Sequence, residues 1–181
     1  MRVFWEKGYV GASLEDLTSA TGLGRGSLYG TFVSKDGLFR QALQRYSLLY
    51  GARFDAALAR ADTDPVGAVE AFFAVVLDRI ADPTVPDGCL VAQATISSPT
   101  LEAETADHVR EMLRAQHARV RSALDHTHPD KQLLDDLAAY VVGITQSLAV
   151  LSRGGMSAQE LQSTARLACE TVTRRLGEHH R

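Results

Sequence analysis

Ser13 to Lys35, SLEDLTSATGLGRGSLYGTFVSK, is the stretch that decides how this chain folds. It divides into two short amphipathic segments around a glycine turn, followed by the start of a third, which is the layout of a helix-turn-helix. Ser13 can cap the first segment through its hydroxyl, with Asp16 three residues on in a box-like arrangement, while Leu14 and Leu17 supply an apolar face. Gly22 stops that helix, because a left-handed residue just past a helix end carries no Cβ penalty when it is glycine; Leu23 is then expected to tuck back onto the apolar face. In the second segment Leu28 and Phe32, four apart, turn inward with Leu14 and Leu17. Arg25, Gly26, Ser27, Tyr29, Gly30 and Thr31 are left on the outer face and leading end, where the major groove of a duplex would meet them.

As a set, AS-L-EDL-TSATGLGRGSLYGTF-VSKDGLF resembles the DNA-binding domain of the TetR/AcrR family of transcriptional repressors. The carriers of the resemblance are the pair Leu28-Tyr29, the aromatic Phe32 three residues later, and Ser34-Lys35 at the next helix start. It implies that Arg25, Ser27 and Thr31 approach bases and nearby phosphates, that the Tyr29 hydroxyl meets a phosphate, and that Lys35 reaches the DNA backbone. Ser13, Gly26 and Gly30 complete the DNA-facing set. The chemistry agrees, since phosphate contacts set register while a few side chains specify sequence, and arginine is well shaped to grip a guanine edge.

Two departures from the family pattern stand out. Gly30 occupies a place where the family usually has a larger residue, and an interior glycine costs a helix about 1 kcal/mol relative to alanine. Close approach of backbone to DNA is one use for it, and ordering on binding is another. The chain also opens at Met1-Arg2-Val3-Phe4-Trp5, part-way through what the family makes its first helix. A misplaced or truncated start is therefore expected, with Phe4 and Tyr9 packing that helix with few helpers.

The 181 residues are 45% apolar and 23% charged, ordinary for a globular protein. The formal charge of −3 is uneven: residues 1–60 hold eight Lys/Arg against five Asp/Glu, and the rest eleven against seventeen. A mildly basic front on an acidic body suits a polyanion reader joined to a part that does not touch DNA. Cys89 and Cys169, far apart and without metal-like spacing, do not form a disulfide framework, so a reducing cytoplasm is the natural compartment. No segment has the layout of a signal peptide, and the uncharged run from Leu137 to Ser152 is short for a membrane span.

Every later segment repeats its apolar residues at three and four, so the chain is expected to be all-α. A long helix from Lys35 to about Arg60 can act as a lever between two domains, residues 1–45 for DNA binding and 46–181 for effector binding and dimerisation. Asp64-Pro65 opens the next helix, the run from Asp82 to Gly88 breaks it, and a short uncharged helix follows Cys89. Ser98-Pro99 is expected to cap another long helix. Between Leu133 and Leu151 apolar residues fall on nearly every side, which predicts burial against a partner. Ser157 and Glu160 form a capping box for the last helix. In the resembled family the last two helices build a four-helix dimer interface, here Leu137, Val141, Ile144 and Leu148 with Leu161, Ala165, Ala168 and Val172. A twofold dimer sets two reading helices about one DNA turn apart on a palindromic operator.

For the body, the expectation is a small-molecule effector pocket lined by Phe72, Phe73, Val76, Cys89, Gln93, His108, Met112, Gln116 and Gln146, because several polar groups sit on otherwise apolar faces. The alternative is a packed core that satisfies them internally. Cys89, at a helix start, also suits a thiol that senses electrophiles, as in a subset of the resembled family, although Asp87 beside it opposes a thiolate. His126 and His128 read as capping or solvated loop residues in place of a metal site, and His179 and His180 as a frayed tail. No cofactor is expected, and no catalytic residue: GLGRG lies inside the turn with no strand before it. The expected partners are double-stranded DNA, an effector and a second copy of the chain, with no membrane. The competing expectation is a helical dimer that has lost DNA binding through truncation.

Overall fold

The computed structural model describes residues 1–177, so His179 and His180 lie outside the described range. Among the described residues there are nine α-helices, one 3-10 turn and no strand. They are α1 (Arg2–Gly11), α2 (Leu14–Thr21), α3 (Arg25–Phe32), α4 (Lys35–Leu58), α5 (Pro65–Ala81), α6 (Leu90–Ser97), the 3-10 turn (Ser98–Thr100), α7 (Ala103–Ala123), α8 (Lys131–Arg153) and α9 (Ala158–Gly177). They form two compact units, one of Met1–Tyr50 with Cys89–Leu113, the other of Gly51–Gly88 with Arg114 onward. Helices α4 and α7 each contribute to both. The first unit thus takes α6 and the start of α7 from later in the chain, beyond a boundary drawn at residue 45.

The first unit is built on aromatic side chains. Phe4 and Trp5 on α1 are both buried. The Trp5 ring meets Tyr46 and Tyr50 of α4 edge-on at 5.0 and 5.9 Å, and Phe4 lies 4.9 Å from Phe39. Burying such side chains is worth roughly 1.5–3 kcal/mol each, so α1 is firmly seated although it is short. The sequence pointed to Phe4 and Tyr9 for this task, and Trp5 carries more of it than expected.

Local capping shapes α2 and the turn into α3. Ser13 Oγ accepts from the Asp16 amide at 3.0 Å and the Asp16 carboxylate accepts from the Ser13 amide at 3.0 Å, the reciprocal box expected there. Lys7 of α1 adds an ion pair to Asp16 at 2.5 Å. Gly22 ends α2 at φ 69°. Leu23 does not tuck back: it is 40% exposed, because the chain leaves α2 directly for α3 and the apolar seat is taken by Leu17 and Leu28. The next turn is tight. A Cβ at Gly37 would stand 2.2 Å from the Phe32 carbonyl oxygen, so only glycine lets α4 start this close to the end of α3.

The long helix α7 departs from expectation. Ser98 and Pro99 form the 3-10 turn, and α7 starts at Ala103. Its cap comes from far away in sequence: the buried carboxylate of Asp36 on α4 accepts from the Glu102 amide at 3.3 Å and from the Thr105 hydroxyl. A charged acceptor on two donors of a helix start is a stronger cap than a local serine.

In the second unit α5, α8 and α9 pack against one another. Asp64 Oδ1 accepts from the Gly67 amide at 2.8 Å ahead of a first-turn proline, as the sequence indicates. Phe72 stacks at a tilt on Phe54 at 4.5 Å. By length and composition alone α8 could cross a bilayer, yet its inner stripe is the centre of this helical layer. That stripe also holds the residues expected at the interface. Leu137, Val141, Leu148, Leu161, Ala165, Ala168 and Val172 are all buried within this one chain, and only Ile144 of the expected eight keeps partial exposure. Helical periodicity marks the buried side of a helix without saying whether the cover comes from the same chain or another. The large apolar residues that α8 and α9 leave outside are Val150, Leu151 and Leu167.

Candidate functional site

The outer face of α3 is open. Arg25, Gly26, Ser27, Gly30 and Thr31 are exposed and Tyr29 is half-buried, while Leu28 is fully enclosed beneath them. Thr31 donates its hydroxyl to the Ser27 carbonyl at 3.0 Å. No ion pair engages Arg25 among the described residues. A Cβ added at Gly26 or Gly30 would meet no heavy atom within 4 Å, so both glycines present bare backbone to solvent. Ser13 differs from the rest of the set, since its hydroxyl also donates to Asp16 at 2.7 Å and is committed to capping α2.

Lys35 has a more particular setting. Its ammonium lies 4.8 Å from the centre of the Tyr9 ring, and partial burial pulls its pKa below the usual lysine value. Tyr9 packs on Phe39 at 5.1 Å, and its hydroxyl is held above the usual tyrosine pKa by burial first and by the Asp36 carboxylate second. No sequence signal connects Tyr9 to Lys35, because the two come together only through the packing of α1 on α4.

The expected pocket residues are divided between the units. Phe72, Phe73, Val76, Gln116 and Gln146 belong to the second; Cys89, Gln93, His108 and Met112 to the first. Phe72, Phe73 and Val76 are packed core. Gln146 Nε2 donates to Gln116 Oε1 at 3.0 Å, so this pair satisfies itself in part, while Gln146 Oε1 is buried without a donor among the described residues. The same is true of His108 Nε2. Gln93 faces α1, its side-chain oxygen 3.7 Å from where a Cβ on Gly8 would stand. One concavity in the second unit is an open groove of about 600 Å³ between α5 and α9, with Phe73, Leu77 and Cys169 in its floor and Glu70, Arg166 and Arg174 on its rim. Only Phe73 among the expected lining residues borders it.

Cys89 is buried at the amino end of α6, and Tyr46 donates its hydroxyl to the sulfur at 3.2 Å, a partner that sequence reading missed. Cys169 is held as a neutral thiol, its pKa pushed up to about 11 by burial and then by Glu70 and Glu170. His128 is buried with Nδ1 accepting from the Asp130 amide at 3.0 Å, a capping role; no group of three or more metal-binding side chains gathers among the described residues.

The family model described as bacterial regulatory proteins, tetR family, matches residues 1–42, and that of the tetracyclin repressor-like C-terminal domain matches residues 65–169. The chain is 28% identical to the HTH-type transcriptional repressor ComR of Escherichia coli (strain K12) over 91% of its own length and 81% of that protein's. It is 30% identical to the HTH-type transcriptional repressor DhaR of Mycobacterium sp. (strain GP1) over 62% and 54%. Among solved structures, the TetR family regulator CifR, a cysteine mutant complexed with a 26bp double-strand operator DNA, superposes with a TM-score of 0.83 at 26% identity, covering 93% of this chain and 91% of that one.

Proposed function

Because the chain belongs to the tetR family of bacterial regulatory proteins, and is thus a transcriptional regulator, we propose that it represses transcription by seating α3 in the major groove of an operator and leaves the DNA when a small molecule binds its helical body. The observation that carries the reading is the outer face of α3: Arg25, Ser27 and Thr31 are exposed toward where base edges would lie, on a helix whose opposite side is anchored by Leu28. In this reading the chain is a cytoplasmic regulator and not an enzyme. A twofold dimer brings two such helices to successive turns of the duplex, and Val150, Leu151 and Leu167 supply the apolar contribution of α8 and α9 to its interface. CifR, solved with a double-strand operator, supports the choice of partner.

The buried acceptor of Gln146, which lacks a donor among the described residues, supports an effector that brings its own polar group to the second unit. An effector releases DNA when it binds the released conformation more tightly than the DNA-bound one. The experiment is a fluorescence-anisotropy titration of the full-length chain on DNA from its own upstream region at several salt concentrations. A sequence-dependent complex that weakens steeply with salt supports the reading, and salt-insensitive or sequence-independent binding contradicts it.

A second reading is favoured by Tyr46 and Cys89. The Tyr46 hydroxyl of α4 reaches the Cys89 sulfur at the start of α6, so alkylation of Cys89 would break that contact and act as the releasing signal. Mass spectrometry after limited iodoacetamide treatment separates the readings: modification of Cys89 with loss of DNA binding supports a thiol switch, and an unmodified Cys89 excludes it.

A further inference from the structure

We propose that Tyr9 is a positioning residue for DNA binding: its ring holds the Lys35 ammonium at the amino end of α4, where a phosphate of the duplex takes it. The inference rests on the DNA reading of α3 and deepens it, adding to the contact surface a residue of α1 that lies 26 positions away in sequence.

Lys35 sits at an electrostatic mismatch. Lys35 is the first residue of α4, the end at which a helix carries its partial positive charge and favours anions. A lysine there is on the wrong side of the dipole unless an anion joins it. The adjacent Asp36 does not serve, because its carboxylate is turned into the unit and committed to the Thr105 hydroxyl and the Glu102 amide. No other described carboxylate pairs with Lys35. What the ammonium has is the face of Tyr9 at 4.8 Å.

Tyr9 is well fixed for this task. It follows the kink in α1 at Gly8, where φ is 71°, and its ring lies 5.1 Å from Phe39 and 6.4 Å from Phe4. Burial and the nearby Asp36 keep its hydroxyl protonated, so the ring stays neutral and retains the negative face that attracts a cation. A free lysine searches many rotamers before it finds a phosphate, and one resting on a rigid ring has lost much of that freedom already. Two neighbouring features therefore call for the same anion: an ammonium without a carboxylate and a helix amino end, three residues past the end of α3.

The test uses full-length chain and a duplex recovered by that chain from a random-sequence pool. Tyr9 is replaced by phenylalanine and then by phenylalanines of increasing fluorination, which keep the ring's size and weaken its negative face, each with Lys35 intact and with Lys35→Met. With Lys35 present, affinity falls stepwise with fluorination, by roughly two- to fivefold across the series. With Lys35→Met the series is flat, and the slope of log affinity against log salt is lower by about one. A flat series with Lys35 present, or an equal decline in both backgrounds, overturns the role of Tyr9 while leaving the DNA reading in place. If the unmodified chain enriches no duplex at all, the DNA reading fails, and the inference with it.

Discussion

The carboxylate of Asp36 on α4, only 1% exposed, accepts the hydroxyl proton of Thr105 on α7, a residue with no exposure at all. The two lie 69 residues apart in sequence. Asp36 also takes the Glu102 amide, and four residues on Arg40 pairs with Glu104, so two side chains of α4 grip the first turn of α7. Removing the carboxylate strands a fully buried hydroxyl. Asp36→Ala is expected to cost about 1–3 kcal/mol in urea unfolding, and Asp36→Asn, which keeps an acceptor oxygen, distinctly less. Equal stability of Asp36→Ala and the parent would show that the cap is not structural.

Val33, at the end of α3, has a φ of 65° and is 85% exposed. A β-branched residue in that region is strained by roughly 1–3 kcal/mol, while glycine there loses backbone entropy of about 0.5–1 kcal/mol. With little apolar burial to lose, Val33→Gly should raise stability by about 1 kcal/mol, read as a higher denaturation midpoint with an unchanged denaturant slope.

Gly30 offers the opposite balance between stability and binding. Since a Cβ there meets nothing within 4 Å in the free protein, Gly30→Ala should stabilise α3 by about 1 kcal/mol. If bare backbone at this position approaches the duplex, the same methyl group lowers operator affinity. A melt and a binding titration on the one variant are predicted to move in opposite directions.

Asp16 gives a pH dependence with a defined sign. Hydrogen bonds from Lys7 and Ser13 hold its carboxyl at about 2, below the ordinary 3.8. A depressed carboxyl contributes stability that is complete above its unfolded value and fades as pH falls through its folded one, here from about pH 4 toward 2. NMR titration should place the Asp16 midpoint near the lower end of that window. Asp16→Asn should remove this part of the acid sensitivity.

The elements that were legible beforehand are those with local causes. The Ser13 box, the glycine stop at Gly22, the Asp64-Pro65 start and the inward turn of Leu28 each depend on residues within four positions of one another, and periodicity with capping chemistry reaches that far. What escaped depends on tertiary encounters. Asp36 took over the cap of α7 from Ser98, Trp5 found Tyr46 and Tyr50, and Tyr9 came under Lys35, all through pairings that no local pattern encodes. The expected interface residues illustrate a related limit. The stripe through Leu137, Val141 and Leu148 is the most regular in α8, and regularity reports burial of any kind, here by α5 and α9 of the same chain. The expected pocket residues fall in both units because they are chosen by polarity on apolar faces, a criterion blind to which unit each helix joins.

Selection of duplexes from a random pool, carried out in parallel with the full-length chain and with Arg25→Ala, tests the central claim most directly. Arg25 is exposed, so its truncation leaves stability unchanged and removes only what it reads. The account predicts that the parent enriches an inverted repeat with half-sites about one helical turn apart, and that Arg25→Ala loses preference at one position of each half-site with a cost of about 1–3 kcal/mol. Enrichment of no sequence by the parent, or of the same sequence with the same affinity by both proteins, would contradict it.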